Sequence, residues 1–389
     1  MKLQQIQIGV RMARNDLMRD FYPKLFVFDA PSLFNGNENT AGIYVGATTG
    51  GLGQGTDTAS LRVTPDPISV YMSRDGGTTY HELVDLLNHV DSGIMESLVA
   101  SSPISKTESN IFLKTGSQLA TGVDKKSELT VTWRNTYVPS SVTDAELNNG
   151  QNKLIVGDST YCEVVQYKTV SAVTASVGAY RHTHLLRGRH GTENQIANQI
   201  DYAEVVAVND NLIFVPLTAG DIGRTLLFKA IVGDMSLSDV EVGSEGYASV
   251  AYKGRNVSPF APAQVTGTRD SSNNLTISWK RRTRYPVRLL GYNNRPLGED
   301  VEEYQVEILS GGAPYSVLRT IDATTTSCTY TASQHSSDSL TAGGAVNLRV
   351  YQKSNYTGRG QTGLWTIPAN TGGTGSPTVG ATYLATRGD

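Results

Sequence analysis

The sequence predicts a mainly β protein, with a β-rich N-terminal and middle region, a small Ig-like β-sandwich after it, and two short helices. Three observations carry this. Charged residues make up only 18% of the 389 residues, below the roughly 25% usual in soluble domains. Glycine is abundant at 39 residues, and with many Val, Tyr, Ser and Thr residues it favours strands joined by tight turns. Short alternating runs bounded by turn residues also recur along the chain. The length suits roughly two to three domains with real cores, so no disulfide framework is needed.

Taken in order, residues 9–20 place Val10, Ala13 and Leu17 on one face at helical spacing, which predicts a short amphipathic helix. Phe21 to Phe28 alternates around Pro23 and suits a strand or extended entry segment. Ile43–Val45 and Ser69–Met72 read as strands, with a glycine-rich loop from Gly50 to Gly55 between them. Ser73 to Tyr80, S-R-D-G-G-T-T-Y, has a hairpin turn at Asp75 and Gly76. It also matches the Asp-box pattern of sialidase-like propellers, but a propeller needs one repeat per blade. His81 to Val90 predicts the second helix. Leu129–Trp133, Lys153–Val156, Tyr161–Tyr167, Ala203–Val208 and Leu212–Val215 form a strand-rich middle region, with a turn at Gly157 and Asp158.

Asn256 to Pro262, N-V-S-P-F-A-P, carries two prolines and marks a domain boundary. Beyond it, Leu275–Trp279, Glu303–Ile308, Ser327–Tyr330 and Val346–Val350 have the spacing of a sandwich, with a Trp closing an early strand. Asn370 to Asp389 is rich in Gly, Thr and Ser and reads as a tail that is flexible or ordered on assembly. The expected domains are an entry segment at 1–30, a β-rich domain at 31–257 that could divide near 110–150, a sandwich at 258–370 and the tail at 371–389.

Net charge is −3 and the isoelectric point is near 6.1, which gives no global attraction to nucleic acid or anionic membrane. The two cysteines, Cys162 and Cys328, suggest neither a disulfide scaffold nor a zinc site. No run of about 18 apolar residues predicts a spanning helix. The opening M-K-L-Q-Q-I-Q-I-G-V has too many Gln for the apolar region of a signal peptide, so synthesis in a cytoplasm is expected.

Several clusters invite a chemical reading. In L-L-R-G-R-H-G-T-E, Leu185 to Glu193, Gly188 and Gly191 suit turn conformations closed to residues with a Cβ, and Arg187 and Glu193 bracket the turn as a pair or cap. The run lacks the Lys-Ser/Thr of a phosphate loop. In W-K-R-R-T-R, Lys280, Arg281, Arg282 and Arg284 interleave with Trp279 and Tyr285, a pattern that single-stranded nucleic acid could use. Glu299, Asp300, Glu302 and Glu303 follow shortly after, so an ion-pair network of Arg281, Arg282, Arg284, Glu299 and Glu303 across neighbouring strands is expected instead. His182 and His184 form H-x-H, which on a regular strand puts both imidazoles on one face; the Arg181, Arg187 and Arg189 charges nearby disfavour a cation. No catalytic set stands out, and no cofactor is expected. The terminal Arg387-Gly-Asp389 matches an integrin-type tripeptide by chance.

These residues carry a resemblance. Leu185 to Glu193, followed by Phe214-Val-Pro-Leu217 and Asp221-Ile-Gly223, resembles a segment of phage tail-tip hub proteins, the host-specificity proteins of gene transfer agents and related siphophages. Ser73-Arg-Asp-Gly-Gly77, Gly157, Glu163–Tyr167 and Ser258–Pro262 run in the same order. Trp279–Arg284, Pro296-Leu-Gly-Glu299, Glu303–Ile308, Gln352-Lys-Ser354 and Gly358-Arg-Gly360 are similar to that family's fibronectin type III-like module. The long N-terminal regions of the large hubs have no counterpart, and Val346 stands where the usual F-strand tyrosine would be.

The resemblance implies a virion structural protein at the tip or baseplate of a phage tail, trimeric around the tail axis and assembled with other tail-tip proteins. Its expected work is tip assembly and engagement of a host-surface receptor or glycan. Tyr292, Asn293, Asn294, Tyr315, Asn355 and Tyr356 lie in predicted loops as candidate contacts. The alternatives are a purely architectural connector beside a separate receptor-binding fibre, and an envelope-glycan hydrolase supported only by the Asp box.

Overall fold

In the computed structural model the described residues are 23–34, 36–49, 67–95, 123–134, 137–159, 161–174, 178–198, 202–285, 297–370 and 379–384. The helix expected at 9–20, the loop at Gly50 to Gly55, Arg387–Asp389 and the candidate contacts Tyr292, Asn293 and Asn294 lie outside them.

The centre of the first region is an antiparallel sheet of β1 (Lys24–Phe28), β2 (Gly42–Thr48) and β11 (Ile213–Pro216), in the order β1-β2-β11. Its runs L-F-V-F and I-Y-V-G-A show no polar alternation because both faces are covered. Leu25, Val27, Ile43, Val45 and Ala47 pack on one side. They meet a second sheet built from β3 (Ile68–Ser73), β4 (His81–Leu86), β12 (Thr225–Val232) and β13 (Tyr247–Ala251), ordered β13-β12-β3-β4. Val70, Met72, Phe228 and Val250 supply its side of the core.

On the opposite side, Phe26, Phe28 and Tyr44 pack on Ile155, Cys162, Val164 and Val206. Those residues form the outer wall of a closed barrel made by β5 (Ser92–Met95), β6 (Asp124–Trp133), β7 (Lys153–Gly157), β8 (Cys162–Ala172), β9 (Ala179–Arg189) and β10 (Glu204–Ala207), ordered β10-β5-β6-β9-β8-β7. Alternate residues fill the interior: Leu129, Val131 and Trp133 of β6, Leu154 and Val156 of β7, Val165 and Tyr167 of β8, Val205 and Ala207 of β10. Period-2 alternation thus sends one set inward and the other onto the central sheet.

This arrangement corrects the expected division. The barrel strands all fall between β4 and β11, so the barrel is inserted within the two-sheet unit, and a cut near 110–150 would sever β5 from its partners. Nor do residues 1–30 stand apart, since Lys24–Phe28 is a strand of the central sheet. The helix expected over His81 to Val90 is also corrected. His81–Leu86 is the edge strand β4, paired with β3 through Val70↔Val84 and Ile68↔Leu86. H-E-L-V-D-L fits either period, and the hairpin turn before it commits the chain to pairing. The two short α-helices among the described residues are α1 (Asp144–Asn148) and α2 (Ala332–Ser337). Each starts with a reciprocal capping box, Thr143 with Glu146 and Thr331 with Gln334.

The C-terminal region is a β-sandwich. One sheet holds β14 (Ala263–Arg269), β15 (Leu275–Lys280), β18 (Ser327–Tyr330) and β22 (Val379–Gly380), ordered β18-β15-β14-β22. The other holds β16 (Tyr304–Leu309), β17 (Val317–Ala323), β19 (Val346–Ser354), β21 (Leu364–Ile367) and β23 (Thr382–Leu384), ordered β17-β16-β19-β21-β23, with β20 (Gly358–Arg359) on β19. Without β22 and β23, this three-plus-four strand order is the fibronectin type III-like arrangement. Trp279, Tyr304, Tyr330, Val346, Leu348 and Trp365 meet between the sheets. The stretch read as a tail is therefore corrected in part: β22 pairs with β14 and β23 with β21, and Ala381 is buried in this core.

Candidate functional site

The two motifs that stand out in the sequence meet where barrel and sandwich join. Arg282 donates to Glu193 Oε1 at 2.5 Å, and its guanidinium lies 5.2 Å from the Phe260 ring centre. Phe260, from the proline-bounded linker, covers Gly191, whose φ is +88°; a Cβ there would stand 2.5 Å from Phe260 Cδ1. On the linker's other side, Gln361 N–H donates to Pro259 C=O at 2.8 Å. The linker is thus a wedge, with an aromatic ring on the barrel and a proline on the sandwich.

A second clasp uses the loop before β2. Arg284 donates to Glu299 Oε1 at 2.9 Å, to Gly298 C=O at 2.9 Å and to Asn39 Oδ1 at 3.3 Å. Tyr285 also donates its hydroxyl to Asn39 Oδ1. Arg284 and Glu299 are both buried, and burial raises the Glu299 carboxyl above its usual range although Arg284 opposes the shift. From below, Asn256 receives Gly42 N–H at 3.3 Å and donates to the carbonyls of Asn37 and Thr40. Asp29 accepts the N–H groups of Lys253 and Arg255 at 2.6 and 2.8 Å, tying the start of the linker to β1's end.

Of the expected pairing between the basic and acidic clusters, Arg284–Glu299 forms between two of the residues singled out for the network. Arg281 pairs with Glu302 at 3.0 Å, Arg282 leaves the sandwich for Glu193, and Glu303 faces Lys353 at 3.7 Å. The expected bracket of Arg187 with Glu193 does not form. Arg187 makes a bidentate bond with Glu163, both distances 2.6 Å, and both side chains are within 1% of full burial. Gly188 N–H adds a bond to the same carboxylate at 2.8 Å. Gly188, at φ +57°, sits at a register shift in β9, where the β8 partners jump from Val164 to Gln166. It is a bulge glycine inside the strand, not a turn residue.

Asp75 and Gly76 lie in the β3–β4 turn as expected. Asp75 accepts from the Ser73 and Thr79 hydroxyls at 2.7 and 2.6 Å and from Thr79 N–H, and these donors hold its carboxyl well below the ordinary range. Arg74 beside it pairs with Asp221 at 2.9 Å.

His182 and His184 do not share a face. His182 is fully buried in the barrel, edge-on to Tyr167 and Trp133, with Nδ1 2.9 Å from Leu129 C=O. Burial pushes its pKa down to about 4. His184 takes a φ of +56° at the β6–β9 register shift, which breaks the alternation, and lies part-exposed against Thr183. Among the described residues no three His, Cys, Asp or Glu side chains gather as a metal site.

The candidate contacts that are described stand apart. Tyr315 is in the β16–β17 hairpin beyond Leu309, whereas exposed Asn355 and Tyr356 follow Ser354. In the β16–β19 register Leu309 pairs with Asn347 and Tyr304 with Gln352, so the two groups lie at opposite ends of that ladder. Asn355 also donates to Asp300 at 2.9 Å.

Sequence reasoning missed Glu163, Asn39, Asn256 and Phe260. Two signals were present: an acidic residue inside the apolar run Y-C-E-V-V-Q-Y, which a covered strand can hold only if paired, and a lone aromatic between linker prolines.

The family described as Rcc01698-like, C-terminal matches residues 108–206, which contain β6 to β9 of the barrel and most of β10. Solved structures with similarity include chicken CNTN1 FN1–FN3 domains, at 10% identity and a TM-score of 0.19, covering 89% of this chain and 99% of that one. Domains A168–A170 of titin are similar at 10% identity and a TM-score of 0.20, covering 88% and 96%. No curated protein matches. The chain is thus similar, over residues 108–206 of its barrel region, to the Rcc01698-like C-terminal family.

Proposed function

We propose that this chain is a structural protein of a bacteriophage tail tip or baseplate, taking part in tip assembly and host-cell attachment. One observation carries the reading: the barrel that matches the Rcc01698-like family, linked by name to gene transfer agent proteins, is clamped to a fibronectin type III-like sandwich through the two motifs that resemble tail-tip hubs. In this reading three copies surround the tail axis with other tip proteins, and weak contacts held together supply avidity without catalysis.

The register narrows how the sandwich could serve attachment: Tyr315 and Tyr356 follow opposite ends of one ladder, so a receptor patch on one protomer would use one of them and not both. The test is antibody labelling of intact particles from the virus or gene cluster encoding this chain. Label at the distal end of a tail supports the proposal; label elsewhere, or on no particle, removes it. Binding of purified protein to host cells then separates attachment from architecture.

A further inference from the structure

Among the described residues the sandwich has an open corner where its two sheets end side by side. β17 ends its sheet and β18 ends the other, and residues 324–326 connect them. Among the described residues β17 pairs with β16 alone, leaving alternate main-chain N–H and C=O groups along Arg319–Ala323 directed away from the sheet. Edge strands are usually blunted by lysine, proline, a bulge or a covering element. V-L-R-T-I-D-A contains neither lysine nor proline; a bulge at Leu318 and the Arg319–Asp338 ion pair at 2.7 Å blunt its first residues, and Thr320–Ala323 remain as a regular edge.

A groove of about 510 Å³ runs along this corner. Its floor is apolar, where Ile321, Ala323 and Cys328 reach the edge of the sandwich core without closing it. One rim carries the hydroxyls of Thr324, Thr325, Ser327 and Thr329. The other carries Lys353 between Asp322 at 3.0 Å and Glu303 at 3.7 Å, one cation against two carboxylates.

We propose that this corner is a docking site for an extended segment of another protein, which adds as a strand to β17. Strand addition draws affinity from main-chain bonds and specificity from alternate side chains. The floor selects apolar residues at every second position, and the surplus carboxylate on the rim selects Lys or Arg between them. The groove lining includes no aromatic side chain on which a sugar ring could stack, so an extended polypeptide suits it better than a glycan. The inference goes beyond the tail-tip reading and does not rest on it.

The test uses the full chain and a blocked octapeptide of alternating valine and lysine, with amide hydrogen exchange read by residue. Alternate β17 amides should slow by about tenfold or more at saturating peptide, while β19 amides stay unchanged. Leu318→Lys, which leaves the core intact, should abolish the slowing. The same peptide N-methylated along one edge should fail, and a valine–glutamate version should bind at least about tenfold more weakly. No slowing in β17, or equal slowing by the N-methylated or glutamate peptide, overturns the proposal. So does β17 protection without peptide in a protein that sediments as a dimer, because the occupant is then a second copy.

Discussion

Glu193 and Arg282 meet at 2.5 Å, the last residue of one conspicuous motif against the centre of the other. Their side chains are only 10% and 22% exposed, so the pair is shielded enough to matter energetically. Two strings that read separately as a turn and a basic patch are the two halves of one joint.

That joint should show thermodynamic coupling. Arg282→Ala and Glu193→Ala are each expected to destabilise the protein, and the double variant should fall short of their sum by about 1 kcal/mol or more. Arg282→Lys should be intermediate, because it keeps the charge but loses the planar contact with Phe260. Urea unfolding of the four-member cycle measures this, and strict additivity would show that the contact carries no energy.

The Glu163–Arg187 pair inside the barrel should be far more sensitive to removal of one partner. Arg187→Ala leaves a buried carboxylate without its cation and is expected to cost about 3–5 kcal/mol. Replacing both, as Glu163→Leu with Arg187→Met, should recover most of that loss. Equilibrium unfolding decides, and a mild Arg187→Ala phenotype would contradict the burial seen here.

Glycine substitutions separate backbone strain from crowding. Gly76→Ala meets nothing within 4 Å and pays only for φ +74°, about 1 kcal/mol. Gly191→Ala adds the collision with Phe260 to a φ of +88° and should cost clearly more. Thermal melts should show Phe260→Ala rescuing part of the Gly191→Ala loss, and none of the loss at Gly76.

Acid should weaken the barrel through His182. Its folded pKa is near 4, below the roughly 6.5 of an unfolded imidazole, so between these values the unfolded chain binds more protons. Stability is then complete above about pH 6.5 and declines as pH falls toward 4, by up to about 3 kcal/mol. His190 is pushed down to about 3 by burial and by Lys153 and Arg189, and adds to the same slope. His182→Phe should flatten the profile between pH 4 and 6.5 in denaturant titrations; an unchanged slope would remove His182 as the cause.

Host adsorption, if the sandwich supplies it, should respond to one end of the ladder only. Asn355→Ala with Tyr356→Ala and Tyr315→Ala alone are expected to differ in a cell-binding assay. Equal loss from both would require contacts from more than one protomer.

Much of the strand inventory is legible because half-covered strands advertise period 2, as Leu129–Trp133 and Val346–Val350 do. His81–Leu86 misleads because an exposed edge strand and a helix share its pattern. Arg284–Glu299 is legible because its partners lie close in sequence and carry opposite charge. Arg187–Glu163 is not, because a bulge at Gly188 redirects the arginine into the barrel.

By itself the sequence determined the β character, the capped turns, the break at Asn256 to Pro262 and the sandwich beyond it, since each follows from local periodicity and turn chemistry. Tertiary structure decided the rest: that β1 and β2 find β11 across the inserted barrel, that six strands close on themselves, and that Arg282 leaves its own domain for Glu193. Those choices depend on pairings between residues far apart in the chain, whose energies come from shared burial, and no local pattern specifies the partner.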